Sequence, residues 1–246
     1  MVAGQITADI HTDSPLKKNV GTLLKKLLLP NPVFELHESH SSSRSKVETY
    51  IAQHFEKVYG AQVCSFLPTL MTMRCKSGFS AAVGLRSAAQ SELFLEQYLN
   101  TPVEKAIEKQ INKNINRNEI IEIGNLVATQ KGTSHLMFIL IAAALIKTDY
   151  KWMVFTATGQ VAKILRRLNF STITLCEADQ SRLAQNKNRD QWGEYYSANP
   201  QVLAGNLTQV YDLIHGNRLI NYVVKYYWRA VRKLSNHFKQ YAGHNE

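Results

Sequence analysis

From Leu136 to Ile146 the chain runs through eleven consecutive apolar residues. A helix that is apolar all round must be covered on every side, and eleven residues fall well short of the ~20 needed to cross a bilayer. This segment therefore predicts a buried helix, opening at Gly132 and running from His135 to Lys147. On one side of it Glu119–Ala128 reads as a strand, with Ile121, Ile123 and Asn125 on a common side; on the other, Trp152–Thr156 reads as a core strand. Strand, turn, buried helix and strand make a parallel pair joined by a right-handed crossover.

The remaining segments fit around that unit. Val33–His37 has the composition of a strand, and Ser39–Ser43 that of a turn. A helix over 44–59 places Val47, Ile51, Phe55 and Val58 on one stripe, and Gly60 follows as its stop. Phe66–Cys75 and Phe79–Arg86 flank Lys76-Ser77-Gly78, a hairpin signature. Leu93–Leu99 predicts a short helix, and Thr101-Pro102-Val103-Glu104 opens another with Thr101 as N-cap and Glu104 closing a capping box. Gly159–Leu168 is a helix with basic residues outward, Ser171–Leu175 a strand, and 187–205 a loop-rich, aromatic stretch. From Leu207 the chain is helical to its end, with a break near Gly216. The expected class is α/β (α+β), a three-layer α/β/α arrangement around a mixed twisted sheet with a helical C-terminal extension. The expected division is an irregular segment over 1–31, a domain over 32–206 and a basic amphipathic helical tail over 207–246.

Charge narrows the partners. Lys and Arg number 29 against 19 Asp and Glu, a formal net charge of +10. Such an excess attracts phosphate, whether on nucleic acid, anionic lipid, coenzyme A or an acidic carrier protein. No Walker loop, Rossmann fingerprint or RNA-binding signature is present, which argues against nucleic acid as the partner. The excess concentrates between Arg218 and Lys239, where six bases occur with no acid, among Tyr222, Tyr226, Tyr227 and Trp228. Cations and aromatics on one amphipathic helix suit an anionic membrane surface, with Lys225, Trp228, Arg229 and Arg232 as contacts. They suit equally a helix packed on the domain with its bases in water. On the membrane reading, removal of 217–246 leaves a folded core.

Three scattered cysteines, with no CxxC pair, argue for a reducing compartment and against a structural zinc site. His37-Glu38-Ser39-His40 lacks a third ligand, so no metal is expected. The first residues carry acids where a Sec signal needs positive charge. The expectation is a chain that is cytoplasmic as synthesised, and peripheral to a membrane or released afterwards.

Chemistry is best sought beside the central strand. Amides at the start of the buried helix favour an anion, and Gly132 lets a phosphate approach the backbone closely. Glu122, a carboxylate on a central strand, is either a general base with a raised pKa or the partner of Arg74 or another base. Arg74, on the adjacent strand, can hold an acceptor carboxylate by a bidentate fork or form a plain salt bridge. Asn125 positions an acceptor or caps the strand. Trp192, Tyr195 and Tyr196 form an acyl or aromatic pocket, or belong to the core, the reading preferred for Trp192.

The segments ELFLEQYL (Glu92–Leu99), PVE (Pro102–Glu104), EIGNLVA (Glu122–Ala128), WMVFTAT (Trp152–Thr158), RRLNF (Arg166–Phe170) and the WGEYY…VLAG stretch (Trp192–Gly205) occur in that order. Together they make the chain from about Val33 to Gly205 resemble the thermostable hemolysin family. That family is similar to the GCN5-related N-acyltransferases and to acyl-homoserine-lactone synthases. The resemblance implies a fold in which the strand containing Glu122 splays from its neighbour and admits the donor's pantetheine arm. Its pyrophosphate would rest on the following turn, at Val127, Gly132, Thr133 and Ser134. The implied activity is acyl transfer from a thioester donor to a small amine or amino-acid-like acceptor, with Glu122 and Asn125 as catalytic residues and Arg74, Tyr195 and Tyr196 binding substrate. No tightly bound cofactor is implied; acyl-coenzyme A or acyl-carrier protein serves as co-substrate. Two departures stand out. The acyltransferase turn, Gln/Arg-x-x-Gly-x-Gly/Ala, keeps only its central glycine in Thr129–Ser134, and Thr158–Leu168 has no tyrosine to protonate a departing thiolate. Direct membrane action by the basic tail is the alternative function.

Overall fold

The computed structural model describes residues 32–75, 78–129, 132–183 and 189–242. The segment read as irregular, 1–31, lies outside them, as do Lys76 and Ser77 of the hairpin turn and Gln130 and Lys131 of the turn after the central strand. The strands are β1 (Val33–His37), β2 (Thr69–Cys75), β3 (Gly78–Ser87), β4 (Ile120–Ala128), β5 (Trp152–Ala157), β6 (Thr172–Glu177) and β7 (Gln201–Asn206). The α-helices are α1 (Arg44–Tyr59), α2 (Val103–Ile111), α3 (Thr133–Leu145), α4 (Gly159–Arg167), α5 (Leu207–Gly216), α6 (Arg218–Tyr226) and α7 (Trp228–Ala242), with a 3₁₀ turn at Phe94–Tyr98.

All seven strands form one mixed sheet in the order β1-β2-β3-β4-β5-β7-β6. β1 to β4 are successively antiparallel, β4 and β5 are parallel, and β7 runs antiparallel to both β5 and β6. Period-two alternation sends Met71, Met73, Val83, Ile121, Ile123, Met153 and Phe155 into one cluster with α3. Their neighbours face the other way: Leu70, Ala82 and Val127 pack on α1, while Ile120, Trp152 and Val154 pack on α2 and the 3₁₀ turn. The sheet is thus covered on both faces, as the α/β/α expectation requires.

The apolar run is α3, and every residue from Leu136 to Leu145 is buried. One side of the helix meets the sheet. The other is covered by the C-terminal helices, which bury Ile220, Val223, Tyr227, Val231, Leu234 and Phe238 in the same cluster. The ring of Tyr227 meets Phe34 of β1 edge-on at 5.9 Å. The tail is therefore packed on the domain. Its removal would bare a helix with no polar face, so a folded core after loss of 217–246 is not to be expected.

Three local readings are corrected. The stretch 187–205 is not loop throughout, because Gln201–Asn206 forms β7 between β5 and β6. The box expected from Thr101 and Glu104 does not form. Glu96 takes the Val103 N–H at 2.8 Å instead, and Glu104 binds Arg117 at 2.8 Å. The tail breaks twice. Asn217 caps α6 by accepting from the N–H groups of Leu219 and Ile220, and Tyr227 separates α6 from α7. Elsewhere the helix ends follow their residues: Gly60 closes α1 at φ +64°, and Asn169 takes φ +56° after α4.

Candidate functional site

β4 and β5 are parallel neighbours only from Ile120↔Trp152 to Ile123↔Phe155. Beyond that pair both strands continue, β4 to Ala128 and β5 to Ala157, without pairing to one another. The cause lies in β4. Gly84 pairs with Gly124 and Ala82 with Val127, so Asn125 and Leu126 stand opposite the single residue Val83, a β-bulge. Asn125 holds φ +48°, a conformation asparagine tolerates better than most residues. Its side chain fixes the bulge to the segment before β2. Oδ1 accepts the Leu67 N–H at 2.9 Å, and Nδ2 donates to the Ser65 carbonyl at 3.3 Å. Close approach demands glycine opposite: a Cβ on Gly84 would lie 2.8 Å from Asn125 Oδ1 and 2.9 Å from Leu67 Cβ.

A cleft occupies the gap, with a cavity of about 130 Å³. It passes through the sheet. Phe138 of α3, Phe155 of β5 and Val161 of α4 line it on the α3 side; Phe94, Tyr98, Trp192, Tyr195 and Tyr196 line it on the other.

Glu122 sits on this wall, immediately before the fork. It is 3% exposed, yet its carboxylate accepts the N–H groups of Phe94 at 3.0 Å and Leu95 at 2.9 Å, the first amides of the 3₁₀ turn. Burial raises its pKa above the usual carboxylate range, with those two amides and the charge of Arg86 working in the opposite direction. Arg86 is the register partner of Glu122 across β3 and β4. The two form no ion pair; Arg86 Nη1 donates to the Glu92 carbonyl at 3.0 Å, and its buried Nε has no hydrogen-bond partner among the described residues.

The turn carrying Phe94 and Leu95 is itself tightly held. Glu96 accepts the Leu93 and Val103 N–H groups at 2.7 and 2.8 Å and binds Arg117 through both oxygens at 2.6 and 2.7 Å. Arg117 also donates from Nε to the Ala88 carbonyl at 2.8 Å. Burial alone would raise the Glu96 pKa. Arg117 and the two amides outweigh it and hold the carboxyl below its ordinary value.

Trp192, Tyr195 and Tyr196 come from the segment between β6 and β7, which leans on the end of α1. Glu194 N–H donates to the Tyr59 carbonyl at 2.7 Å, and Gln62 N–H to the Gln191 carbonyl at 2.5 Å. Gly193 at φ +49° makes this possible, since a Cβ there would fall 2.0 Å from Tyr59 O. The hydroxyls of Tyr98 and Tyr196 share a 2.5 Å hydrogen bond inside the cleft. Burial pushes the Tyr196 phenol up to about 12 and that of Tyr98 further still.

The structure brings Glu122, Asn125, Tyr195 and Tyr196 to one cleft. It does not bring Arg74, which is exposed beyond β2's buried portion and paired with Glu35 of β1 at 3.4 Å. The side chain of Val127 points into the α1 cluster. Gly132, Thr133 and Ser134 stand outside the cleft wall. Gly132 takes φ +92° ahead of α3, and the buried Thr133 hydroxyl donates to the Ser80 carbonyl at 3.4 Å. Lys225, Trp228, Arg229 and Arg232 are on the outer surface of α6 and α7, with the Arg229 guanidinium 5.6 Å from the Trp228 ring centre. Among the described residues, no cluster of three His, Cys, Asp or Glu is placed to hold a metal, and no helix is long and apolar enough to cross a membrane.

Sequence reasoning missed Arg86 and Tyr98. Sequence alone cannot reveal Arg86 as the partner of Glu122, because β3 and β4 are separated by residues 88–119 rather than by a tight turn, and the bulge at Asn125 shifts their pairing. Tyr98 lies within the ELFLEQYL segment, but only the tertiary approach of Tyr196 singles it out.

Comparison with known proteins gives three results. No curated protein matches the chain. Solved structures with a similar course include the AHL synthase LasI, at 12% identity and a TM-score of 0.49, covering 72% of this chain and 90% of that one. They also include the coenzyme A-dependent acyl-homoserine lactone synthase BjaI with SAM and isopentyl-CoA, at 8% identity and a TM-score of 0.48, covering 84% and 100%. A third is FeeM, an N-acyl amino acid synthase from uncultured soil microbes, at 11% identity and a TM-score of 0.46, covering 72% and 89%. The model of the thermostable hemolysin family matches residues 37–211, well over half of the chain. The chain belongs to the thermostable hemolysin family.

Proposed function

We propose that this protein transfers an acyl chain from a thioester to a small amine in the cleft where β4 parts from β5. The observation that carries the reading is a passage through the sheet with a buried carboxylate at its fork. Two reactants can meet there from opposite faces. The donor thioester, on coenzyme A or an acyl-carrier protein, enters from the α3 side, where unpaired edges of β4 and β5 offer backbone groups to its amide-rich arm. Gly132, Thr133 and Ser134 lie on the route of its phosphates and contribute backbone N–H groups at the start of α3.

The acceptor enters from the aromatic side. Glu122 receives a proton from its ammonium; two lone pairs stay free once Phe94 and Leu95 N–H groups are satisfied. A raised pKa suits a base of this kind. Asn125 acts as a positioning residue, holding the bulge that opens the fork. Tyr195 and Tyr196 wall the acceptor side. The test is incubation with long-chain acyl-coenzyme A or acyl-carrier protein and mixed amines and amino acids, read by mass spectrometry. Glu122→Gln should lower product formation by about 10²- to 10⁴-fold. Wild-type protein that yields no acylated product with either donor type defeats the reading.

A second reading is favoured by one surface feature. Tyr222, Tyr226 and Trp228 are each about half exposed, at 52%, 53% and 49%, among Lys225, Arg229 and Arg232. This surface suits direct action on an anionic membrane. It predicts vesicle binding that weakens with salt, each nearby base contributing about 1 kcal/mol. Lysis that persists in Glu122→Gln would separate membrane action from acyl transfer.

A further inference from the structure

We propose that the acceptor is an α-amino acid with an apolar or aromatic side chain, and that Arg86 anchors its carboxylate. The inference rests on the acyl-transfer reading of the cleft and adds the class of acceptor. Arg86 and Glu122 are paired residues of β3 and β4, so their side chains leave the same face of the sheet side by side. Both line the cleft.

The guanidinium is only partly used. Nη1 has the Glu92 carbonyl, whereas Nε is buried with no hydrogen-bond partner among the described residues. A buried cationic donor left unmatched is costly, and the edge bearing Nε is one that a carboxylate fits with two parallel hydrogen bonds. No acid of the described residues supplies that carboxylate. Glu122, the neighbour, accepts the Phe94 and Leu95 N–H groups and forms no ion pair with Arg86. A carboxylate on a ligand fits this edge.

Geometry then selects the α-amino acid. Directly paired residues of antiparallel strands have Cα atoms about 4.5–5.5 Å apart. A carboxylate held by Arg86 therefore places an amine two bonds away within reach of Glu122. The acceptor side also includes Phe94, Tyr98, Trp192, Tyr195 and Tyr196, which suit an apolar side chain. The amine nitrogen attacks the thioester carbonyl carbon, forming the C–N bond as the C–S bond breaks. Of the two protons that the ammonium loses, one leaves on sulfur as the thiol. The other passes through Glu122 to solvent.

Two measurements on the full-length chain test this. The first compares phenylalanine with phenethylamine and phenylalaninamide as acceptors, using long-chain acyl-coenzyme A and acyl-carrier protein as donors. Phenylalanine should have the lower KM by about tenfold or more, the value of a charge-assisted pair. The second needs no turnover: N-decanoylphenylalanine and N-decanoylphenethylamine are titrated against tryptophan fluorescence. Wild type should prefer the acid by a similar factor, and Arg86→Gln should abolish the preference. Arg86→Lys keeps the charge without the fork and should fall between them; melting curves confirm that both variants fold. Equal use or equal binding of acid and amine overturns the assignment of Arg86 and leaves acyl transfer standing. A binding preference that depends on Arg86, with no product from any donor, upholds the carboxylate site and defeats the acyl-transfer reading.

Discussion

Gly193 offers a sharp test of how the cleft is built. Alanine at this position meets two separate penalties. At φ +49° an L-residue with a Cβ loses about 1–2 kcal/mol. The added Cβ would also lie 2.0 Å from Tyr59 O and 2.8 Å from the Gly60 carbonyl carbon and oxygen. Those are backbone atoms at the end of α1 and cannot swing aside, so the aromatic segment must move off. It then forfeits the Glu194–Tyr59 and Gln62–Gln191 backbone hydrogen bonds, each worth about 0.5–1.5 kcal/mol. The expected loss is about 2–5 kcal/mol, which lowers Tm by roughly 4–20 °C in a chain of this size. Gly60→Ala serves as the control. Gly60 has φ +64°, and a Cβ added there would meet nothing within 4 Å, so only the conformational penalty applies. Thermal melts of both variants, with tryptophan emission referenced to Trp192→Phe, separate the two contributions. Gly193→Ala no less stable than Gly60→Ala, with unchanged Trp192 emission, would refute the packing of this wall against α1.

Three further outcomes follow from the same structure. Arg117→Ala strands the carboxylate of Glu96, 9% exposed, and should cost about 3–5 kcal/mol in urea titrations. Because Arg117 and two amides hold Glu96 below its usual pKa, its contribution is present above about pH 4.3 and lost as pH falls through the folded value. Arg117→Ala should lose that acid sensitivity. Glu122 has the opposite sign. Its pKa is raised in the fold, so its contribution is complete below about pH 4.3 and declines as pH rises through the folded value. Glu122→Gln should therefore gain on wild type as pH increases, and a constant difference across pH would contradict the assigned burial. Deletion of 217–246 uncovers α3 and should give an aggregated or unfolded product by size exclusion and circular dichroism; a monomeric, cooperatively melting fragment would show that α6 and α7 are dispensable.

Much of the architecture was legible because it depends on local pattern. An apolar run too long to be a loop and too short for a membrane can only be a covered helix, and its flanking strands are then neighbours. Gly60 and Asn169 mark helix ends because few residues accept a left-handed backbone. Glu122 stood out because an ionisable group on a central strand is costly without a purpose. What local pattern could not supply was pairing. Gln201–Asn206 becomes a strand because β5 and β6 leave a slot between them, not through a propensity of its own. The capping role of Glu96 belongs to an ion pair with Arg117, twenty-one positions away. Arg86 rather than Arg74 faces the cleft, because Arg86 is paired with Glu122 while Arg74 sits at the hairpin end of β2, opposite Val33 of the edge strand and Phe79. Composition and periodicity determined the layers and the buried helix, since both follow from which residues avoid water. The site was decided by tertiary structure, since the fork, the bulge and the matched side chains exist only where distant segments meet.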